Sequence, residues 1–166
     1  KPRDMWQLLV NGGWVGLLAL TKGVLIERGY LGGEDLDYMV LIVMSAALGD
    51  TLSSEIGMRW GKNPIQITTG KRVPVGLSGG ISLAGTLGAL LGGLVMSIYA
   101  LTMFEVRLAM FLDLLIAALG GSIIDSLLGD CIQEKFEHNG ELRDVGLPNN
   151  RVSGIIGFNN DAINFI

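Results

Sequence analysis

The sequence predicts an all-α fold, a polytopic transmembrane helix bundle that forms a single integral membrane domain over residues 1–166, with about five spans. Three observations predict it. The 166 residues are 49% hydrophobic and only 17% charged, where a soluble domain carries about a quarter charged residues. Several apolar stretches with few charges reach the roughly 20 residues that cross a bilayer. The 25 glycines follow no Gly-X-Y period, which excludes collagen and suits close approach of helix backbones in lipid. The single Cys131 excludes an internal disulfide and a cysteine-based zinc site. A net charge of −4 carries no nucleic-acid signal.

The elements follow in order. Met5 to Thr21 is free of charge and runs on past Lys22 to Ile26, giving span one, with Asn11-Gly12-Gly13 near its start. That triplet serves helix packing or faces a ligand. Glu27 to Asp37 reads as a short acidic loop. Span two starts at Tyr38 and continues to about Gly57. Met58 to Arg72 is basic, with Arg59, Lys62, Lys71 and Arg72 and no acid. Val73 to Phe104 is uncharged over 32 residues and holds seven glycines. It divides into a Gly-rich loop to about Gly80 and span three, on which Gly88 and Gly92 make a small-xxx-small face. Glu105-Val106-Arg107 is a polar turn, and Leu108 to about Gln133 is span four. Glu134 to Ser153 reads as a polar loop with His138 at the solvated surface, and Cys131 as a packing residue. Gly154 to Ile166 begins span five. The chain has no initiator Met and stops in an apolar segment, so it reads as part of a longer multi-pass protein, with further helices expected at one or both ends.

The loops alternate in charge, and the positive-inside rule places the N-terminus and the Met58 to Arg72 loop on one membrane face. Span three leaves that face, span four returns to it and span five starts there. The unusual polar residues thereby converge: Asp50, Asp125 and Asp130, the Asn160-Asp161-Ala162-Ile163-Asn164 cluster, and Asn11. Acidic residues at membrane depth are costly and mark function by default. Asp50, Ser53 and Ser54 stand at i, i+3, i+4 on one helix face. Ser122, Asp125, Ser126, Gly129 and Gln133 form a second stripe. Asp130 lies about 140° around the helix from Asp125, and Glu55 the same angle from Asp50, so Glu55 is expected to serve the Lys62 and Lys71 loop. Carboxylates from several helices are hard ligands that suit Mg2+, which binds through one or two carboxylates plus substrate phosphates. Lys71, Arg72 and the turn through Gly76, Ser78, Gly79 and Gly80 offer cations and backbone amides to phosphate, and Thr68 and Thr69 add hydroxyls. No Walker A pattern occurs. The same acids could instead line an ion path, the basic loop could be a topological anchor, and the Asn/Asp cluster could cap span five.

The run Gly49-Asp50-Thr51-Leu52-Ser53-Ser54-Glu55-Ile56-Gly57 is followed by Ile67-Thr68-Thr69, by Val73-Pro74-x-Gly76-x-x-Gly79-Gly80-x-Ser82-x-x-Gly85-Thr86, and by Gly121-Ser122-x-x-Asp125-Ser126-x-x-Gly129. With Trp6 to Gly13 and the closing Asn160 to Asn164, these resemble the DUF92 membrane family over nearly the whole chain. That family takes in plant phytyl-phosphate kinase and the animal transmembrane protein 19. It is itself similar to CTP-dependent polyprenol kinases and CDP-diacylglycerol synthases, whose nucleotide region Asp50, Gly57, Gly61-Lys62, Lys71 and Gly79-Gly80 follow in outline. Leu77-Ser78 departs from the family's Thr-Glu or Thr-Asn before the paired glycines. The resemblance implies transfer of phosphate from CTP or another nucleoside triphosphate to an isoprenoid monophosphate such as phytyl phosphate, feeding tocopherol synthesis in a plastid envelope or other organellar membrane. It implies Asp50, Asp125 and Lys71 as catalytic residues, and Asp50, Asp125, Asp130 and Asp161 around Mg2+. The phosphates would then meet Ser53, Ser54, Lys62, Thr68, Thr69, Arg72, Gly76, Ser78, Gly79, Gly80, Asn160 and Asn164, and the isoprenoid tail would lie between spans one and three among membrane lipids. The alternatives are a homo-oligomer or subunit of a membrane complex with altered activity, and an ion-coupled transporter.

Overall fold

The structure, a computed structural model, describes residues 5–29, 33–103 and 108–165, with side chains described there except at positions 5–12, 14, 19, 33, 161, 164 and 165. Five helices follow in order: α1 (Met5–Glu27), α2 (Gly33–Trp60), α3 (Leu83–Met103), α4 (Leu108–Cys131) and α5 (Asn160–Phe165). Among the described residues three helical stretches are long and apolar enough to cross a membrane, Glu34–Trp60, Leu83–Met103 and Leu108–Cys131. The chain is thus an all-α, multi-pass membrane protein. Within the segment expected to begin span five, α5 takes Asn160–Phe165. The Glu105–Arg107 turn lies outside the described residues.

Glycine sets the distance between the spanning helices. A Cβ built on Gly49 of α2 would stand 2.6 Å from the Ala118 Cβ of α4. One on Gly92 of α3 would stand 2.8 Å from the Gly49 backbone, and one on Gly121 of α4 would stand 2.9 Å from Ala46. The expected Gly88 and Gly92 face is therefore the α2–α3 contact, with Gly88 against Leu52. Without a hydrophobic drive between helices in lipid, such close packing and interhelical hydrogen bonds hold the bundle. The buried Ser45 hydroxyl supplies one bond, donating to the Leu114 carbonyl at 2.7 Å. Tyr38 supplies another, donating to Asp113 Oδ2 at 2.5 Å. Leu41, Met96, Ala100 and Leu114 form the core between the three helices. The outward side chains of α3, among them Leu83, Leu87, Leu91 and Ile98, are exposed, as a lipid-facing surface requires.

The acidic segment before span two is partly helical. α2 starts at Gly33, so Glu34 and Asp35 occupy its first turn, where the helix dipole favours negative charge. Asp37 of α2 pairs with Lys22 of α1 at 2.5 Å. Two small sheets sit at the other end of α2. Strand β1 (Ile65–Gln66) pairs antiparallel with β2 (Gly80–Ile81), matching Ile65 with Ile81 and Gln66 with Gly80. Strands β3 (Lys135–His138), β4 (Glu141–Arg143) and β5 (Arg151–Ser153) form a sheet in the order β4-β3-β5. This sheet replaces the polar loop expected over Glu134 to Ser153. Its signal was present in Asn139-Gly140, the dipeptide that favours two-residue hairpin turns because both residues accept positive φ; here φ is 53° and 81°. Cys131 is exposed and does not serve packing. His138 is exposed on β3.

Candidate functional site

The C-terminal ends of α2 and α4, the N-terminal end of α3 and the Gly-rich segment before it enclose a cavity of about 640 Å3. Two turns shape that segment. Pro74 O accepts from Leu77 N–H at 3.3 Å with Gly76 at φ 87°, and Leu77 O accepts from Gly80 N–H at 3.0 Å with Gly79 at φ 84°. Each has a glycine at the third turn position, where positive φ is needed. Gly79 is also fixed from outside, since a Cβ there would fall on the Asp130 side chain.

From α2 the cavity receives Asp50, Ser53, Ser54 and Glu55; from α4, Ser122, Asp125 and Ser126; from the turns, Gly76, Ser78, Gly79 and Gly80; and from the segment leading into α5, Asn159 and Asn160. Most of the residues singled out from the sequence meet in one place. Asp50 and Asp125 are half-buried, and Asp50 feels the like charge of Asp125. Glu55 also lines the cavity. Ser82 and Asp144 also line the wall, and sequence reasoning gave neither a role.

Other expected residues stand elsewhere. Lys62, Thr68, Thr69, Lys71 and Arg72 are exposed and do not line the cavity. For Thr68 to Arg72 the pairing of β1 is the cause. Gln66 N–H donates to Lys71 O at 2.8 Å and Gly70 N–H returns to Gln66 O at 2.8 Å, closing a tight loop that carries Thr68 to Arg72 away from the wall. Four amides of the Gly-rich segment are engaged within the protein: that of Val73 with Pro64 O at 3.0 Å, those of Leu77 and Gly80 in the turns, and that of Ser78 with Asp144 Oδ2 at 2.8 Å. The side chains of Asn11, Asp161 and Asn164 lie outside the described residues.

Asp130 has a different setting. Its Oδ1 accepts from Gln66 Nε2 and from Lys135 Nζ, each at 2.5 Å. Its Oδ2 accepts from Thr68 Oγ1 at 2.6 Å and from Thr68 N–H at 3.3 Å. The Lys135 and Asp130 side chains are 4% and 1% exposed. Four donors occupy a carboxylate with about four lone-pair sites, so Asp130 ties α4, β1 and β3 together and is absent from the cavity wall. Lys135 gave no sequence signal, because it stands alone in a mixed-charge segment.

For Mg2+ the fit rests on Asp50 and Asp125. They come from adjacent helices onto one cavity wall, with serine hydroxyls beside them. Among the described residues no three His, Cys, Asp or Glu side chains gather as a cation cage. A two-carboxylate site completed by water and substrate phosphate is the arrangement Mg2+ commonly takes, so the donor set fits.

A family model described as integral membrane protein DUF92 matches residues 1–166, and the chain belongs to that family. It is similar to Protein PGR of Arabidopsis thaliana, with 34% identity over 132 residues, covering 71% of this chain and 46% of that protein. It is similar to an uncharacterised membrane protein of Synechocystis, 33% identical over 122 residues, covering 72% of this chain and 43% of the relative. A membrane protein of Methanocaldococcus jannaschii, also uncharacterised, is 33% identical over 114 residues, covering 69% of this chain and 47% of its own length. The chain thus spans about half the length of the curated relatives it matches. No solved structure matches it.

Proposed function

We propose that this DUF92 protein is a membrane lipid kinase. It transfers the terminal phosphate of CTP, or of another nucleoside triphosphate, to an isoprenyl monophosphate such as phytyl phosphate, and works in a plastid envelope or other organellar membrane. The observation that carries the reading is the cavity at one end of the spanning helices. It combines four carboxylates, the facing pair Asp50 and Asp125 among them, several hydroxyls and a Gly-rich double turn with the apolar side chains of Ala89, Leu119 and Ile123.

A phosphate oxygen of the prenyl monophosphate attacks the terminal phosphorus. The bond from that phosphorus to the bridging oxygen breaks, and the nucleoside diphosphate leaves with the electron pair. Little covalent work falls to the protein, so positioning and charge stabilisation supply the catalysis. Asp50 and Asp125 hold Mg2+, which when bound neutralises phosphate charge. Ser53, Ser54 and Ser122 orient phosphate oxygens through their hydroxyls, and Ala89, Leu119 and Ile123 receive the first carbons of the prenyl chain. The test is a transfer assay on the full-length protein in lipid nanodiscs, with labelled nucleotide, Mg2+ and a panel of prenyl phosphates. Labelled prenyl diphosphate is the expected product. No transfer with any pairing of several nucleotides and prenyl phosphates sinks the reading.

One observation favours a second reading. The charged residues lining the cavity are Asp50, Glu55, Asp125 and Asp144, with no Lys or Arg among the described lining residues. An acidic cavity also suits an ion-coupled transporter, which predicts cation flux into liposomes without nucleotide binding.

A further inference from the structure

The end of α2 that borders the cavity carries a compact group of cations. Arg59 and Trp60 close the helix, and Lys62 follows. Lys71 and Arg72 come later in the chain, and a short hairpin returns them to the helix end. Val73 N–H donates to Pro64 O at 3.0 Å, Gln66 N–H donates to Lys71 O at 2.8 Å, and Arg72 stands opposite Ile65. All four cations are exposed. No acid occurs between Met58 and Arg72, and the ion pairs of the described residues, Lys22–Asp37, Lys135–Asp130 and Arg143–Glu141, use none of these cations.

The same surface is also apolar. Met58, Trp60, Ile65 and Val75 all expose large side chains there. The Arg59 guanidinium lies over the Trp60 ring, 5.4 Å from its centroid, at cation–π distance. A Trp at the end of a spanning helix takes the headgroup level of the bilayer, where its ring meets hydrocarbon and its N–H meets water. The opposite end of α2 has the opposite sign, since it opens on Glu34 and Asp35. Insertion topology asks only for an excess of Lys and Arg on one face. It does not ask for a hairpin that gathers them around an exposed Trp.

We propose that this surface, Arg59, Lys62, Lys71 and Arg72 around Trp60, binds the phosphodiester headgroups of anionic phospholipids in the surrounding leaflet. Basic residues immediately beside a spanning helix attract such headgroups within a Debye length. Lysine meets the phosphate as a point charge and arginine through paired N–H donors, while Met58, Trp60 and Ile65 meet the apolar part of the lipid. Met58, Pro64 and Val75 also line the cavity of Asp50 and Asp125, so bound headgroups hold the mouth of that cavity at headgroup level. The inference does not depend on what the cavity binds.

Trp60 reports on the lipid beside it. The full-length protein is placed in nanodiscs of equal parts phosphatidylcholine and phosphatidylglycerol, with bromine carried on the acyl chains of one lipid or the other. Bromine quenches tryptophan on contact, and the share due to Trp60 is the difference between native protein and Trp60→Phe. Brominated phosphatidylglycerol is expected to quench Trp60 at least about threefold more than brominated phosphatidylcholine. The preference is expected to shrink at high salt and to fall to near equality in K62Q/K71Q/R72Q, with Arg59 left in place because it stacks on the reporter. The unfolding midpoint of that variant in pure phosphatidylcholine is expected to match native. Equal quenching of the native protein by the two lipids overturns the proposal and leaves the cations to topology alone; this outcome needs no variant of the basic residues, so it decides even if the triple variant fails to fold. A preference that survives in a folded K62Q/K71Q/R72Q overturns it as well, because the anionic lipid is then held elsewhere. No quenching of Trp60 by either lipid puts the helix end outside the bilayer and overturns it too.

Discussion

The carboxylates of this protein take opposite roles within a few residues of each other, and their partners decide which. Asp125 lines the cavity, while Asp130, five residues later, is held by Gln66, Thr68 and Lys135. Helical geometry separates the two by about 140°, which was legible in the sequence; the donors that saturate Asp130 were not, because they come from β1 and β3. Asp130→Ala is expected to lower stability by about 3–5 kcal/mol, since it strands a buried Lys135. Thermal or chemical unfolding in detergent checks this, and Lys135→Met in the same background should recover part of the loss. Asp50→Asn should leave the unfolding midpoint near native and lower phosphate transfer by at least about a hundredfold. Burial pushes the Asp144 carboxyl above the usual aspartate range, and that shift has a sign in stability. The folded state holds that proton more tightly than the unfolded chain, so its contribution is fullest below the unfolded pKa and is lost as pH rises towards the folded value. The stability of native protein relative to D144N should therefore fall as pH rises from about 4.

At the scale of elements, the three spanning helices read well from hydropathy and the glycine pattern. The reason is physical: in lipid the apolar runs must be long, and close helix contacts must be small. Gly49 shows how one residue serves two contacts, against Ala118 of α4 and under Gly92 of α3. Gly92→Val is expected to destabilise the bundle by roughly 1–3 kcal/mol through overpacking. Gly120→Ala, with open space around it, should leave the midpoint unchanged or raise it. The unfolding midpoints of the two variants decide this. The small sheets were harder to see. Strands of two to four residues carry almost no periodicity, and only Asn139-Gly140 announced the hairpin. Missing it meant missing Asp144 and Lys135, both of which that hairpin brings to its neighbours. The basic residues Lys71 and Arg72 were misplaced for a related reason: charge composition does not reveal the β1 pairing that turns their loop outward.

For the whole molecule, loop charge alternation implied that separate segments return their polar residues to one membrane face. The ends of α2, α3 and α4 do meet around one cavity, together with Asn159 and Asn160. What the cavity binds is a question of chemistry, and the central claim is that Asp50 and Asp125 work there as a pair in phosphoryl transfer. The direct measurement is formation of labelled prenyl diphosphate from labelled CTP and phytyl phosphate by full-length native protein, Asp50→Asn and Asp125→Asn in nanodiscs with Mg2+. The predicted result is product from the native protein and a loss of at least about a hundredfold in each variant, with unfolding midpoints near native. Variants that retain native transfer rates, or a native protein that makes no diphosphate, would contradict it.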